Sequence, residues 1–208
     1  MILLTQEYTG DTPERQKELD QCARENLSSG LFEECRPIRT EAGERLKYGE
    51  FFRLCADEYA DEVCVLANSD ILFDTTAKLI YTMADEGRII ALTRWELGAG
   101  SPRMLGRFHD ERFFSGTQDT WAFIGGDFVG IGDNVPMGVV GCDQALLGEC
   151  VLADILIGNP ALSIQTWHVH AERGRPNRPC VSGLYAYPEL TTTRLSLSVV
   201  THRWPEEK

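Results

Sequence analysis

An α/β fold with a doubly wound, mixed but mainly parallel sheet flanked by helices is what this sequence predicts, on three observations. Short apolar runs alternate with helix-period segments over residues 1–95, in the order β-α-β-α-β-α-β. One run, Val63-Cys64-Val65-Leu66, is unbroken, as in a strand buried on both faces. It stops at Ala67-Asn68-Ser69-Asp70, small and polar residues that fall at the carboxyl edge of the sheet, where open α/β folds bind ligands.

Each element has its own signal. Met1–Thr5 reads as the first strand. Thr12 and Pro13 then make a helix start, an N-cap followed by proline at the first helical position. The helix Pro13–Leu27 turns Leu19, Cys22, Ala23 and Leu27 toward the sheet, and Ser28-Ser29-Gly30 ends it. Phe32–Ile38 is a second strand, interrupted by Glu33 and Glu34. After a polar segment, Glu50–Tyr59 is a helix on the spacing of Phe51, Phe52, Leu54, Cys55 and Tyr59. Val63–Ala67 follows, then a helix Thr75–Asp85 stopped by Gly87, then the strand Arg88–Arg94. Residues 97–118 are glycine-rich and read as a long functional or mobile loop. Thr120–Ile124 is a short strand, Cys142–Leu152 a helix, and Ile155–Ile157 and Ser163–Val169 further strand segments. The glycines at 125, 126, 130 and 132 do not form a strand–GxGxxG–helix unit, which excludes a dinucleotide fingerprint. No repeat or linker divides the chain. It reads as one domain, with residues 1–95 and 96–208 as its two halves.

Composition narrows the function classes. Aspartate and glutamate outnumber lysine and arginine by 32 to 20, a net charge of −12 that repels phosphate backbones and anionic lipid, so nucleic acid is excluded as an expected partner. No apolar run approaches the roughly 20 residues of a membrane span, and Met1–Leu4 is too short for a signal peptide. Seven widely spaced cysteines with no CxxC pair predict reduced thiols, used mostly as small core residues, and a cytoplasmic setting.

Four polar stretches carry the chemistry. In an extended chain Asn68 and Asp70 face the same way, so an amide oxygen and a carboxylate can converge on one cation; the same residues also make a surface turn. Gln118-Asp119-Thr120-Trp121 pairs an acid with an indole, which can hold a sugar by hydroxyl hydrogen bonds and an apolar ring face, or can equally be a turn with a core tryptophan. Asp143 opens a helix, where a carboxylate is commonly a cap. His168 and His170, at i and i+2 of a strand, share a face and suit a divalent cation.

Taken in order, Asn68-Ser69-Asp70-Ile71, Leu92-Thr93-Arg94-Trp95-Glu96, Gln118-Asp119-x-Trp121-x-Phe123, Gly141-Cys142-Asp143, Asn159-Pro160 and His168-x-His170 resemble small nucleotide-sugar glycosyltransferases of the GT-A fold. The chain's length and Ile2–Tyr8 are also similar to the glycosyltransferase domain by which large algal viruses decorate capsid protein. The resemblance implies transfer of a hexose-like sugar from a nucleoside diphosphate donor, most simply a UDP-sugar, to a hydroxyl of a glycan or glycoprotein. It also implies a cytoplasmic location, the host's if the chain is viral. The family's Asp-x-Asp stands here as Asn68-Ser69-Asp70, which makes Asp70 the main ligand of a Mn²⁺ or Mg²⁺ ion and Asn68 an auxiliary one. His168 or His170 would complete the metal shell, and Asp143 would be the base, with Asp119 as its rival. Thr5 and Gln6 would line the nucleoside pocket, joined by Ser69. Arg45, Lys47 and Tyr48 would contact base or phosphate, and Arg94, Trp95, Gln118 and Trp121 the substrate. The amide at Asn68 leaves a second reading open, a nucleotide-sugar-binding module without catalysis.

Overall fold

The computed structural model describes residues 1–39, 45–97, 100–103, 105–109, 111–169, 180–192 and 198–204. The first half follows the expected alternation: Ile2–Glu7 (β1), Pro13–Ser28 (α1), Glu34–Arg39 (β2), Tyr48–Glu58 (α2) and Val63–Ala67 (β3). Ile71–Phe73 (β4) comes next. A 3₁₀ segment, Thr75–Leu79, then runs into the single turn Ile80–Met83 (α3), where one longer helix was expected. Arg88–Thr93 (β5) and Trp95–Glu96 (β6) follow.

Residues 97–118 are not the uniform loop their glycines predict. They contain a hairpin, Gly106–His109 (β7) and Arg112–Ser115 (β8). The rest are Gln118–Ile124 (β9), Cys142–Leu152 (α4), Leu156–Gly158 (β10), Thr166–His168 (β11) and the hairpin Gly183–Pro188 (β12) with Val199–Trp204 (β13).

The main sheet has the order β10-β5-β9-β3-β1-β2. Its pairings are parallel except where β9 enters antiparallel between β3 and β5, so the doubly wound, mainly parallel architecture stands. Alternate residues of each strand feed two cores. Leu4, Leu66, Trp121 and Phe123 pack with Tyr48, Phe51 and Phe52 of α2 and with Leu146 of α4. Leu3, Val65, Ile90 and Ala122 pack on the other face with Ile71, Ala77, Ile80 and Met83. Burial on both faces is why β3 carries no polar residue until it ends. Among the described residues no helix is long and apolar enough to cross a membrane. Cys22, Cys55, Cys64, Cys142 and Cys150 are buried free thiols.

Helix α1 starts as read, with the Thr12 hydroxyl accepting from the Arg15 amide at 3.1 Å and Pro13 at its first position. Its inward face differs from the reading. Leu27 is 70% exposed and Ala23 is exposed, and Asn26 takes the buried position after Leu19 and Cys22. The Asn26 amide donates to the Ile71 carbonyl at 2.8 Å and accepts from the Phe73 amide at 3.2 Å. A polar residue is therefore spent inside the core to hold the backbone of β4, the strand that Asp70 precedes. Such a pair of bonds is what makes a buried amide tolerable.

Candidate functional site

The site forms at one edge of the main sheet, where β1 and β3 run out and the antiparallel β9 begins. Ala67, the last residue of β3, is level with Thr5 of β1 and Thr120 of β9. The Asn68 amide still pairs with the Asp119 carbonyl at 3.0 Å before the chain turns, and the Ser69 hydroxyl donates to the Gln6 carbonyl. On the other side of β9 the register jumps: Leu92 opposes Thr120 but Thr93 opposes Gln118, leaving Asp119 as the extra residue of a bulge. Bulges at a sheet rim re-aim a side chain. Here the bulge presents the Asp119 carboxylate to the Asn68 side-chain amide through Oδ1 and to Arg94 Nη1, 2.8 Å away, through Oδ2.

From Asp119 the charges run on as a chain. Arg94 Nε is 3.1 Å from Glu96 Oε1, and Glu96 Oε2 is 3.0 Å from His168 Nδ1. His168 Nε2 lies 3.3 Å from Asp70 Oδ2, and the same oxygen takes Arg15 Nη2 at 2.5 Å. The small sheet β4-β11-β6 sets these positions, with His168 level with both Ile71 and Glu96. Burial pushes the Asp70 carboxyl up, but His168 and Arg15 outweigh it and hold the group well below the usual carboxylate range. The same contact raises His168 against the opposing effect of burial, and His168 and Arg94 likewise lower Glu96 despite its partial burial.

Asp143 stands in different surroundings. The cap of α4 is Gly141, at φ +83, and a Cβ there would lie 2.0 Å from the Tyr185 hydroxyl, so Asp143 is in the first turn without being the cap. Its Oδ1 accepts from the Tyr48 hydroxyl at 3.2 Å and from the Cys142 thiol at 3.1 Å. Burial, with the Asp119 charge behind it, pushes the Asp143 carboxyl up to about 7, and the Cys142 and Tyr48 bonds offset this only in part. Asp119 thus acts on Asp143 and also on His168, which ties the two ends of the site together.

The structure therefore brings together Asn68, Ser69, Asp70, Arg94, Asp119 and His168, with Thr5 and Gln6 on the adjoining strand end. Others of the expected residues lie elsewhere. Trp121 is fully buried, edge-on to Tyr48 with ring centroids 4.9 Å apart, and offers no face to a sugar. Gln118 is fully buried too and donates to the Ser115 carbonyl. Trp95 is nearly so, its indole N–H on the Ala161 carbonyl. Trp121 and Gln118 share a cause, since β9 is buried on both faces; Trp95 is drawn inward on its own by the Ala161 carbonyl. Tyr48 is a core residue that reaches Asp143 and is closed to a nucleotide, while Arg45 and Lys47 are exposed and Arg45 donates to the Met137 carbonyl. His170 lies outside the described residues. Arg15 and Glu96 join this cluster of charges without having been singled out in the sequence. An open depression of about 510 Å³ beside Leu72, Phe73, Asp74 and Trp167 takes in neither Asp70 nor Asp143.

No family model and no curated protein matches the chain. Among solved structures it is similar to the crystal structure of a glycosyltransferase involved in the glycosylation of the major capsid of PBCV-1. The two are 11% identical, with 80% of this chain and 92% of that chain covered and a TM-score of 0.43. At that distance nothing passes from the side chains of that protein to those of this one.

Among the described residues no three His, Cys, Asp or Glu side chains cluster as a metal cage. Asp70 Oδ2 and His168 Nε2, 3.3 Å apart, still suit a cation that keeps most of its shell for other ligands. Two donors at ~2.1 Å from one octahedral ion lie about 3 Å apart, and Mg²⁺ is commonly held by one or two carboxylates plus phosphate oxygens and water, so Asp70 would be the main ligand and His168 an auxiliary one. Glu96 on Nδ1 directs the other ring nitrogen at the site, the usual support of a ligating histidine.

Proposed function

We propose that this chain transfers a sugar from a nucleoside diphosphate donor, a UDP-sugar in the simplest case, to a hydroxyl of a glycan or glycoprotein acceptor. The observation that carries the reading is one rim holding two carboxylates in opposed environments, a charge-paired Asp70 and an Asp143 poised near neutrality. Groups whose surroundings push their pKa values apart are the mark of divided acid–base labour.

Asp143 is the base. It removes the acceptor's proton as the acceptor oxygen bonds to the anomeric carbon, while the bond from that carbon to the diphosphate breaks. A carboxyl near 7 suits this step, since it is ionised often enough to act and basic enough to accept. Tyr48 and Cys142 donate to one carboxylate oxygen and fix the group's orientation. Arg94, Arg15 and the exposed Arg45 supply positive charge toward the departing diphosphate in an otherwise acidic chain. Asp70 and His168 would hold a Mn²⁺ or Mg²⁺ ion, which supplies Lewis-acid stabilisation of that leaving group when bound.

The test is release of UDP from a panel of UDP-sugars, with and without Mn²⁺, by wild type and Asp143→Asn. Slow donor hydrolysis by wild type supports the reading. Donors that raise the melting temperature yet are never cleaved would leave a binding module, the role the Asn68 amide favours, because it donates to Asp119.

A further inference from the structure

The oxygen of Asp70 that faces His168 is already engaged. Arg15 Nη2 is 2.5 Å from it and 2.6 Å from the Tyr8 hydroxyl, while Arg15 Nη1 is 3.1 Å from Glu18. The guanidinium is delivered by the first turn of a capped helix, and both side chains of the pair are about one-tenth exposed, 11% and 10%. A guanidinium and a divalent ion drawn to that one carboxylate oxygen repel each other at close range, so each weakens the other's hold on Asp70.

We propose that Arg15 is an intramolecular competitor for the divalent cation at Asp70 and His168, keeping the pair closed to free ions until an anion draws the guanidinium away. The identity of that anion, the donor's diphosphate, rests on the reading above. A diphosphate offers the paired oxygens that a guanidinium fork prefers. Cation and diphosphate then bind with positive coupling, and each tightens the other by the same factor.

Electron paramagnetic resonance of free Mn²⁺ reads the competition directly in the full chain. Arg15→Gln binds Mn²⁺ about tenfold more tightly than wild type, within the 5- to 150-fold span of coupled sites. Arg15→Lys, which keeps the charge and loses the fork, falls between them. Thermal melts supply a second readout: Arg15→Gln melts below wild type, because Asp70 has lost a partner, and Mn²⁺ restores it while raising wild type little. Unchanged or weaker Mn²⁺ binding by Arg15→Gln overturns the proposal, and if that variant fails to fold, Arg15→Lys decides on the same criterion. Added UDP, corrected for its own Mn²⁺ complex, tightens Mn²⁺ in both proteins through its phosphate oxygens, and by a larger factor in wild type, where it also draws Arg15 away. If Arg15→Gln gains Mn²⁺ alone but neither protein binds UDP, the competition stands and the donor reading falls. If both bind UDP and Arg15→Gln gains nothing, the donor reading stands and the competition falls.

Discussion

The two ends of the rim hold carboxylates that are both taken out of water yet lie on opposite sides of the usual range. Asp70 meets a guanidinium and an imidazole, and its proton is driven off; Asp143 meets a phenol and a thiol, with the like charge of Asp119 behind them, and its proton is retained to about 7. Desolvation is the largest influence on each. What separates them is whether the neighbours carry full positive charge or only a dipole. The paired end holds its charge throughout the neutral range, while the unpaired end titrates within it.

The largest way to break this contrast is Asp143→Asn. At saturating donor, transfer falls by about 10²- to 10⁴-fold, the range for loss of a general base, while donor binding survives. Near-normal transfer by this variant, with collapse in Asp119→Asn, would move the base to Asp119.

Next in size is Glu96→Gln, which leaves His168 without its carboxylate. Mn²⁺ affinity measured with UDP present drops by roughly 10- to 100-fold, as for other supports of ligating histidines. An unchanged affinity would remove His168 from the cation's shell.

The pH dependence sharpens the same comparison at smaller scale. Transfer rises with pH through about 7 as Asp143 ionises, and Asp119→Asn shifts that limb to lower pH by deleting the like charge. Stability runs the other way. Asp143 is raised from 3.8 in the unfolded chain to about 7, so the folded protein holds a proton that the unfolded chain releases. Stability is therefore lost as pH climbs between those values and stays lost above them. Asp143→Asn, which cannot ionise, should melt above wild type at pH 8 by an amount on the order of a kcal/mol or more, with the gap closing at pH 4. Equal melting curves at both values would mean that Asp143 is not perturbed.

Much of the fold was legible because β1, β3 and β5 are apolar runs that end in polar residues, and Thr12-Pro13 announces α1. The rim was legible for the same reason: Asn68-Ser69-Asp70 follows directly on a buried strand. Arg15 was not, because it sits in the polar first turn of an amphipathic helix, 55 residues from the carboxylate it meets. No periodicity marks such a contact. Glu96 stood inside a quoted motif, but its role depends on β6, a strand of two residues that registers only against β11. Trp121 and Gln118 were misplaced because β9 is buried on both faces, a fact set by its neighbours in the sheet. Asn26 misled the reading of α1 since a buried amide looks, in sequence, like a solvated one.

The reversed strand has a consequence for how such a protein could be altered. In a sheet whose strands all ran one way, only the segments leaving strands would reach the rim. Because β9 runs backwards, the segment that enters it, with the hairpin β7–β8, arrives there as well. Neither β7 nor β8 belongs to the six-stranded sheet, but β8 is tied into the fold: Phe114 and Ser115 are buried, and the Phe113 carbonyl accepts from the Leu190 amide. Substitutions on that hairpin would alter the surroundings of the rim while leaving the strand order of the main sheet in place.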